Sequence, residues 1–501
     1  MSSYQPVSFS RRPEVPTLRD EPPRREREVM LGMGEASLLL LIIGAVSVGY
    51  ALPFTAVKYG LIAFFGVLFV VKTLQRPAMG LALLAFGIPA IDLIPKGLIP
   101  IRAVNAETLM IVALLFVIAR ANAISGREPL RTKMGFVLAI YAVLIIVSCV
   151  NGWFTWQRSL FDLLSAAKNH LAYMLFLPAA FHVVRERRDK LLVVSACVLS
   201  LFLNCLQAID ESWLAFATGT LERHRASALL ALQPNLFGAA LAMYLPVTML
   251  FASKPIGSRW VRLVMIAVNG AIGFALILTL SRGAWLGAVA GLLVLALLAD
   301  RKLLILFALA AAGYQYWVPD AAISRVEETK NIQGELGANS VADDSTQMRV
   351  EQYKSLPAMM KPRPILGWGY RSYPRVFEKY GTLKRSKGAH STYVLIGTEE
   401  GVIGWIVLAF VFGSMIFIGW KSWRLAEDPL DRYLGIGVLV GAVSMLVSMM
   451  AGSRFEAQKM WVFYWVFFGI AERGLRLAEL RGATLRRPAL SVVGGRDGEP
   501  R

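Results

Sequence analysis

Four histidines occur in the 501 residues, and His390 is the one whose surroundings could support chemistry. It lies in Gly388-Ala389-His390-Ser391-Thr392-Tyr393, where a long polar stretch gives way to an apolar one. A neutral imidazole at such a place can take a proton from an attacking hydroxyl. Arginines recur at comparable boundaries. Arg282 sits in Ser281-Arg282-Gly283, a break in the apolar run 262–299. Arg223 and Arg225 flank His224 ahead of Gln233-Pro234-Asn235, and Arg349 follows Asp343-Asp344-Ser345-Thr346, a stretch suited to capping a helix. A guanidinium keeps its charge and grips phosphate oxygens through two parallel N–H bonds. Each residue also has a plainer role. An interfacial arginine can snorkel, and a histidine at a helix start is commonly structural. Pro234 is expected to bend a helix, leaving Asn235 either to satisfy a freed backbone group or to face a polar cavity. Glu399 and Glu400 fall deeper in the stretch that follows His390. Carboxylates in an apolar helix are costly unless paired or wet. One histidine with several arginines, and no metal-ligand spacing, suits transfer from a phosphate-activated donor.

The elements that must position these residues are membrane helices. The chain is 56% hydrophobic and 17% charged, with a mean hydropathy of +0.54. Its apolar residues fall in blocks long enough to cross a bilayer, where the backbone must bond within its own segment. So many buried helices in a soluble protein would need more polar surface than this composition supplies. The blocks predict crossings at 35–53, 55–71, 78–95, 106–119, 134–150, 169–184, 190–209, 228–252, 262–280, 283–299, 303–318, 391–420, 433–452 and 459–472. This is an all-α polytopic fold of about 14 transmembrane helices. With the N-terminus inside, roughly 31 Lys and Arg fall in the inside segments and about 10 in the short outside loops, so both termini are expected in the cytoplasm. The organisation expected is a basic disordered tail over 1–34, helices 1–11 over 35–318, an outside loop with short helices over 319–390, helices 12–14 over 391–475 and a basic tail over 476–501. Topology and anionic headgroups account for the net charge of +19, and no nucleic acid is expected as partner. Cys149, Cys197 and Cys205 lie in apolar blocks without CxxC spacing and read as small core residues. The alternation of inside and outside puts Arg225, Arg282, Arg349 and His390 on one face. A nucleotide-sugar donor from the cytosol does not suit that face, which leaves a lipid-linked donor.

Several segments together resemble the O-antigen ligase and Wzy-type polymerase superfamily. They are Arg225 with Pro234-Asn235, Ser281-Arg282-Gly283-Ala284-Trp285, Arg349, Pro364-Ile365-Leu366-Gly367-Trp368-Gly369, and Ala389-His390-Ser391-Thr392-Tyr393 with Glu400-Gly401-Val402-Ile403-Gly404. The resemblance covers about residues 225–420, in order around one long outside loop. It implies a GT-C-like, metal-independent, inverting glycosyltransferase of the bacterial inner membrane, working on the periplasmic face without a cofactor. The donor would be an undecaprenyl-diphosphate-linked glycan, and the acceptor a glycan (polymerase, exopolysaccharide) or a lipid A-core (ligase, lipopolysaccharide). By the same resemblance His390 would be the base, with Arg282 and Arg349 binding the diphosphate. Arg225, Arg223, Asn235 and Glu400 would contribute to substrate binding. Members commonly carry Asn after the histidine, where this chain has Ser391.

Two other classes fit the sequence less well. A polysaccharide flippase or other transporter would carry charges between two similar halves, and no internal symmetry is evident here. A dolichol-type transferase with a carboxylate base and a metal would want acids in the first outside loop, here Pro53–Lys58, which has none. A purely structural membrane protein is the remaining alternative.

Overall fold

The computed structural model describes residues 66–93, 106–125, 131–221, 224–253, 258–299, 344–381 and 388–485, with a few isolated positions between 301 and 323. The main α-helices are α1 (Pro77–Gly87), α2 (Ala106–Ser125), α3 (Lys133–Trp156), α4 (Leu160–Ala172), α5 (Phe176–Val183), α6 (Arg187–Ala217), α7 (Pro234–Ser253), α8 (Arg259–Leu278) and α9 (Arg282–Leu298). They continue as α10 (Asp344–Met360), α11 (Tyr373–Tyr380), α12 (Thr392–Glu399), α13 (Gly401–Leu425), α14 (Pro429–Ser448) and α15 (Val462–Leu485). Extended backbone among the described residues amounts to an isolated bridge between Ala228 and Ala231. Among the described residues, seven helices, α2, α3, α6, α7, α8, α13 and α14, are long and apolar enough to cross a membrane. The spans expected at 35–53, 55–71 and 303–318, both tails, and Arg223 lie wholly or largely outside the described residues.

α14 is the centre of the bundle, packed by α13, α9, α7 and α15. The reason is legible in side-chain size. Gly283, Gly287 and Gly291 recur every fourth residue on α9. A Cβ on Gly287 would lie 2.6 Å from the Ser444 carbonyl, and one on Gly291 1.9 Å from Ser444 Oγ. Only a small-residue stripe lets two backbones approach so closely, which is how helices gain contact where lipid supplies no hydrophobic drive. The opposite face of α9 carries Leu286, Val289, Leu293 and Leu297, all exposed and suited to acyl chains. Cys149, Cys197 and Cys205 are buried free thiols within the packing.

The two ends of the bundle differ. One is tied by ion pairs: Arg76 Nη2 to Asp189 at 2.8 Å, and Lys190 Nζ to Asp428 at 2.9 Å and Asp431 at 2.6 Å. The other gathers the start of α7, the α8–α9 turn, α10, the start of α12 and the turn after α14.

Three expectations need correction. The stretch 391–420 is not one helix, because it breaks between Glu400 and Gly401 into α12 and α13. Gly401 has φ +68°, and a Cβ there would sit 2.4 Å from the Ile365 carbonyl. The break lets Val402 N and Ile403 N, which the start of a helix leaves without partners, donate to Pro364 O at 2.9 Å and Ile365 O at 3.3 Å. Pro234 does not bend a helix; it is the first residue of α7. A missing N–H costs nothing at that position. The stretch 169–184 is a composite of the end of α4, a 3-10 turn at Tyr173–Leu175 and α5.

Candidate active site

His390 is held by its backbone. Its N–H donates to Gln352 Oε1 at 2.7 Å, and Gln352 Nε2 donates to Gly388 O at 3.1 Å, so one fully buried amide of α10 clamps both sides of the loop end. Ser391 is the N-cap of α12, its Oγ accepting from Val394 N at 3.4 Å and meeting Tyr353 Oη at 2.8 Å. Ser and Asn are both good N-caps, so the serine that replaces the usual asparagine keeps the local geometry. Tyr353 Oη donates to Met450 O at 3.0 Å. The turn after α14 runs beside the loop end. Thr392 N donates to Gly452 O at 3.2 Å, Ser453 Oγ to Ala389 O at 2.7 Å, and Arg454 N to Thr392 Oγ1 at 2.9 Å. Segments 388–392 and 452–456 therefore form one hydrogen-bonded wall.

The charges on this wall are arranged for an anion. His390 is half-buried, and its pKa is lowered from the ordinary histidine value, first by burial and then by the charge of Arg349. The imidazole is therefore neutral near pH 7. Arg454 is 1% exposed, and its Nε and Nη1 have no hydrogen-bond partner among the described residues. Burial, and after it Arg349, push its pKa down to about 9. Its Nη2 approaches the first turn of α9, since a Cβ on Gly283 would come within 3.0 Å of it. Arg282 is the preceding residue, the first of α9. Like charges drawn together in low dielectric are costly unless an anion joins them.

The other expected site residues serve differently. Arg225 donates from Nε to Thr279 O at 2.7 Å and from Nη2 to Asn235 Oδ1 at 2.8 Å. The pair braces the α8–α9 turn, where Leu280 has φ +48°, just before Arg282. Glu400 is buried and accepts from Ser148 Oγ of α3 at 2.9 Å. It joins α3 to the helix break. Its neighbour Glu399 accepts from Arg371 N at 2.8 Å and Tyr373 N at 3.0 Å, which pins the aromatic turn 364–373. Gly367 in that turn has φ +62°, and its Cβ would fall 2.5 Å from Glu399 backbone atoms, so only glycine fits.

Sequence reading passed over Arg454 and Glu456. Both lie in Gly452-Ser453-Arg454-Phe455-Glu456, a short polar gap between two apolar blocks. The signal was present, because Ser453-Arg454 has the same character as Ser281-Arg282 and falls on the same side. Beyond this wall lies a cavity of about 830 Å³, lined among others by Asn169, His170, Tyr370, Glu399, Ser453 and Glu456.

No curated protein matches the chain. Residues 267–409 match the family model described as O-antigen ligase. That stretch contains Arg282, Arg349 and His390 and lies within the expected core of 225–420. Over this stretch, under a third of its length, the chain is similar to the O-antigen ligase family, in keeping with the resemblance its motifs carry.

Proposed function

We propose that this membrane protein is an inverting glycosyltransferase that moves a glycan from undecaprenyl diphosphate to an acceptor hydroxyl, on the periplasmic face of the bacterial inner membrane. His390 takes the proton of the acceptor hydroxyl as its oxygen attacks the anomeric carbon. The bond from that carbon to the diphosphate oxygen breaks, and the diphosphate leaves with the electron pair. A single displacement of this kind inverts the anomeric centre. The proton on His390 is then lost to water. Arg282, Arg349 and Arg454 stabilise the charge that grows on the leaving oxygens, which is where fixed cations in a dry site are worth most. The acceptor is a lipid A-core for a ligase or another repeat unit for a polymerase.

One observation carries this reading: a neutral, half-buried histidine stands under the field of Arg349, on the same wall as the buried Arg454 with its partnerless nitrogens. A base that is neutral at pH 7 beside an anion site is what displacement of a diphosphate requires. The test is His390→Ala in the full-length protein, reconstituted in proteoliposomes with a lipid-linked glycan donor. Transfer should be lost while the protein stays folded. Transfer retained at wild-type rate removes His390 as the base. Glycan profiling of a deletion strain separates the two acceptors. Unattached lipid-linked polymer marks a ligase, and single repeats without long chains mark a polymerase.

A further inference from the structure

The wall that carries His390 has a second side. Behind it lies the cavity of about 830 Å³, a size common to small-molecule sites. It is bounded by α4, the aromatic turn at Tyr370–Pro374, the loop end at Gly388–Ala389 and the segment Ser453–Met460. His390, Arg282, Arg349 and Arg454 are not among its lining residues, so the displacement itself does not use it. Three other cations do line it: Arg158, Arg371 and Lys459. Arg371 is the most telling. Its φ is +60°, a left-handed conformation that a residue other than glycine seldom takes and that marks a constraint where it occurs. The constraint comes from several sides. Arg371 N donates to Glu399 Oε2 at 2.8 Å, Arg158 Nη1 donates to Arg371 O at 2.8 Å, and Tyr370 N donates to Ser148 O at 3.0 Å. The turn is fixed through its backbone, while the Arg371 side chain stays exposed and its guanidinium has no hydrogen-bond partner among the described residues. Arg158, half-buried beside it, commits one nitrogen to the turn.

The charge of the lining decides what fits. Its two acids do not cancel its three cations. Glu399 gives its carboxylate oxygens to the backbone N–H groups of Arg371 and Tyr373, at 2.8 and 3.0 Å. Burial pushes the Glu456 carboxyl up to about 8, so most of it is uncharged at pH 7. Lys459 Nζ, anchored on Pro89 O at 3.0 Å and Leu229 O at 2.7 Å, adds its charge to the same lining. The cavity therefore keeps a positive excess. A guanidinium has N–H donors alone and pairs best with the two oxygens of a carboxylate or phosphate. Like charges gathered where water is scarce are costly until an anion joins them. The diphosphate already has its own cations across the wall. The rest of the lining is apolar in part, and Tyr173, Tyr370 and Met460 offer surface for the C–H faces of a sugar ring. An anionic group borne on a sugar meets both demands.

We propose that this cavity is a subsite for a negatively charged sugar residue, next to the sugar that reacts at His390, with Arg371 and Arg158 gripping its charged group and Lys459 adding to the field. A uronic acid carboxylate and a phosphate substituent share that chemistry. The inference rests on the proposed transfer reaction for what carries the charge, and its test reads binding without turnover. Dissociation constants are measured by saturation-transfer NMR titration on the detergent-solubilised full-length chain, with methyl β-D-glucuronide, glucose-6-phosphate and methyl β-D-glucoside. At least one charged ligand should bind about tenfold more tightly than the neutral glucoside, and the tighter of the two names the charged group. That advantage should vanish in Arg371→Asn, because asparagine tolerates the left-handed conformation and removes only the charge. Arg158→Gln gives the same reading should Arg371→Asn fail to fold. Charged and neutral ligands bound alike, no binding of any of them, or an advantage that persists in folded Arg371→Asn overturns the subsite even if His390 proves to be the base. Pyrophosphate that displaces the charged sugar from the wild type also overturns it, by making the cavity the diphosphate site. A wild type that prefers the charged sugar through Arg371 supports the subsite even if His390 proves not to be the base.

Discussion

Arg454→Met gives the sharpest test of the anion site, because stability and activity should move in opposite directions. The side chain is 1% exposed, and its guanidinium is pushed from 12.5 to about 9 by burial and by Arg349. That drop corresponds to at most roughly 5 kcal/mol of destabilisation from holding the buried cation in the fold at pH 7. The sign follows directly. A cation whose folded pKa is depressed destabilises the fold at every pH below that pKa, so its removal stabilises. Methionine is unbranched, fills a similar slot and leaves no charge to desolvate. The backbone bonds of residue 454, from its N–H to Thr392 Oγ1 and to its carbonyl from Trp461 Nε1, survive the change. The thermal midpoint of the solubilised variant should therefore hold or rise. Turnover should fall about 10²–10³-fold, the usual loss when one preorganised charge-stabilising group is removed. Inorganic pyrophosphate should raise the midpoint of the wild type and not of the variant, since only a binding-competent fold gains stability from ligand. A folded Arg454→Met protein that turns over within threefold of wild type would refute the reasoning. A wild type indifferent to pyrophosphate would weaken it from the other side.

Other outcomes follow from the same geometry. His390 is held below the ordinary histidine value, so it stays neutral into mildly acid solution, and the acid limb of the transfer rate should have its midpoint below pH 6.5. Arg349→Met should move that limb upward, as well as slowing the reaction, because it removes the second cause of the depression; a pH–rate profile of both proteins decides. Arg282→Lys keeps the charge and loses the two-pronged fork, so turnover should drop with expression intact, and an unaffected rate would mean that Arg282 only snorkels at the interface. Gly401→Ala places a side chain at φ +68° against the Ile365 carbonyl. It should cost at least about 1–2 kcal/mol, read as a lower midpoint and loss of the α12–α13 break.

Much of the site was legible in the chain itself because membrane helices are a local property. A block of apolar residues can satisfy its backbone only within itself, so composition alone implied helices, and the spacing of Lys and Arg divided the polar segments into two sides. That reasoning brought Arg225, Arg282, Arg349 and His390 to one face before any contact was known. It also foresaw the long stretch 391–420 as apolar, but not its break, which depends on carbonyls of Pro364 and Ile365 arriving from more than 30 residues away in sequence. The division of labour among the arginines was equally invisible. Arg225 and Arg454 look alike in sequence, yet the first is absorbed by Asn235 and a turn carbonyl, and the second is left buried with nitrogens unpaired. The cavity is further still from sequence, since Asn169, His170 and Glu456 stand on segments nearly 300 residues apart. What the sequence by itself determined was which residues share a side of the membrane. Which of them are satisfied, and which remain open to a ligand, was decided by tertiary packing, because burial and partnership are properties of the assembled bundle and of no single helix.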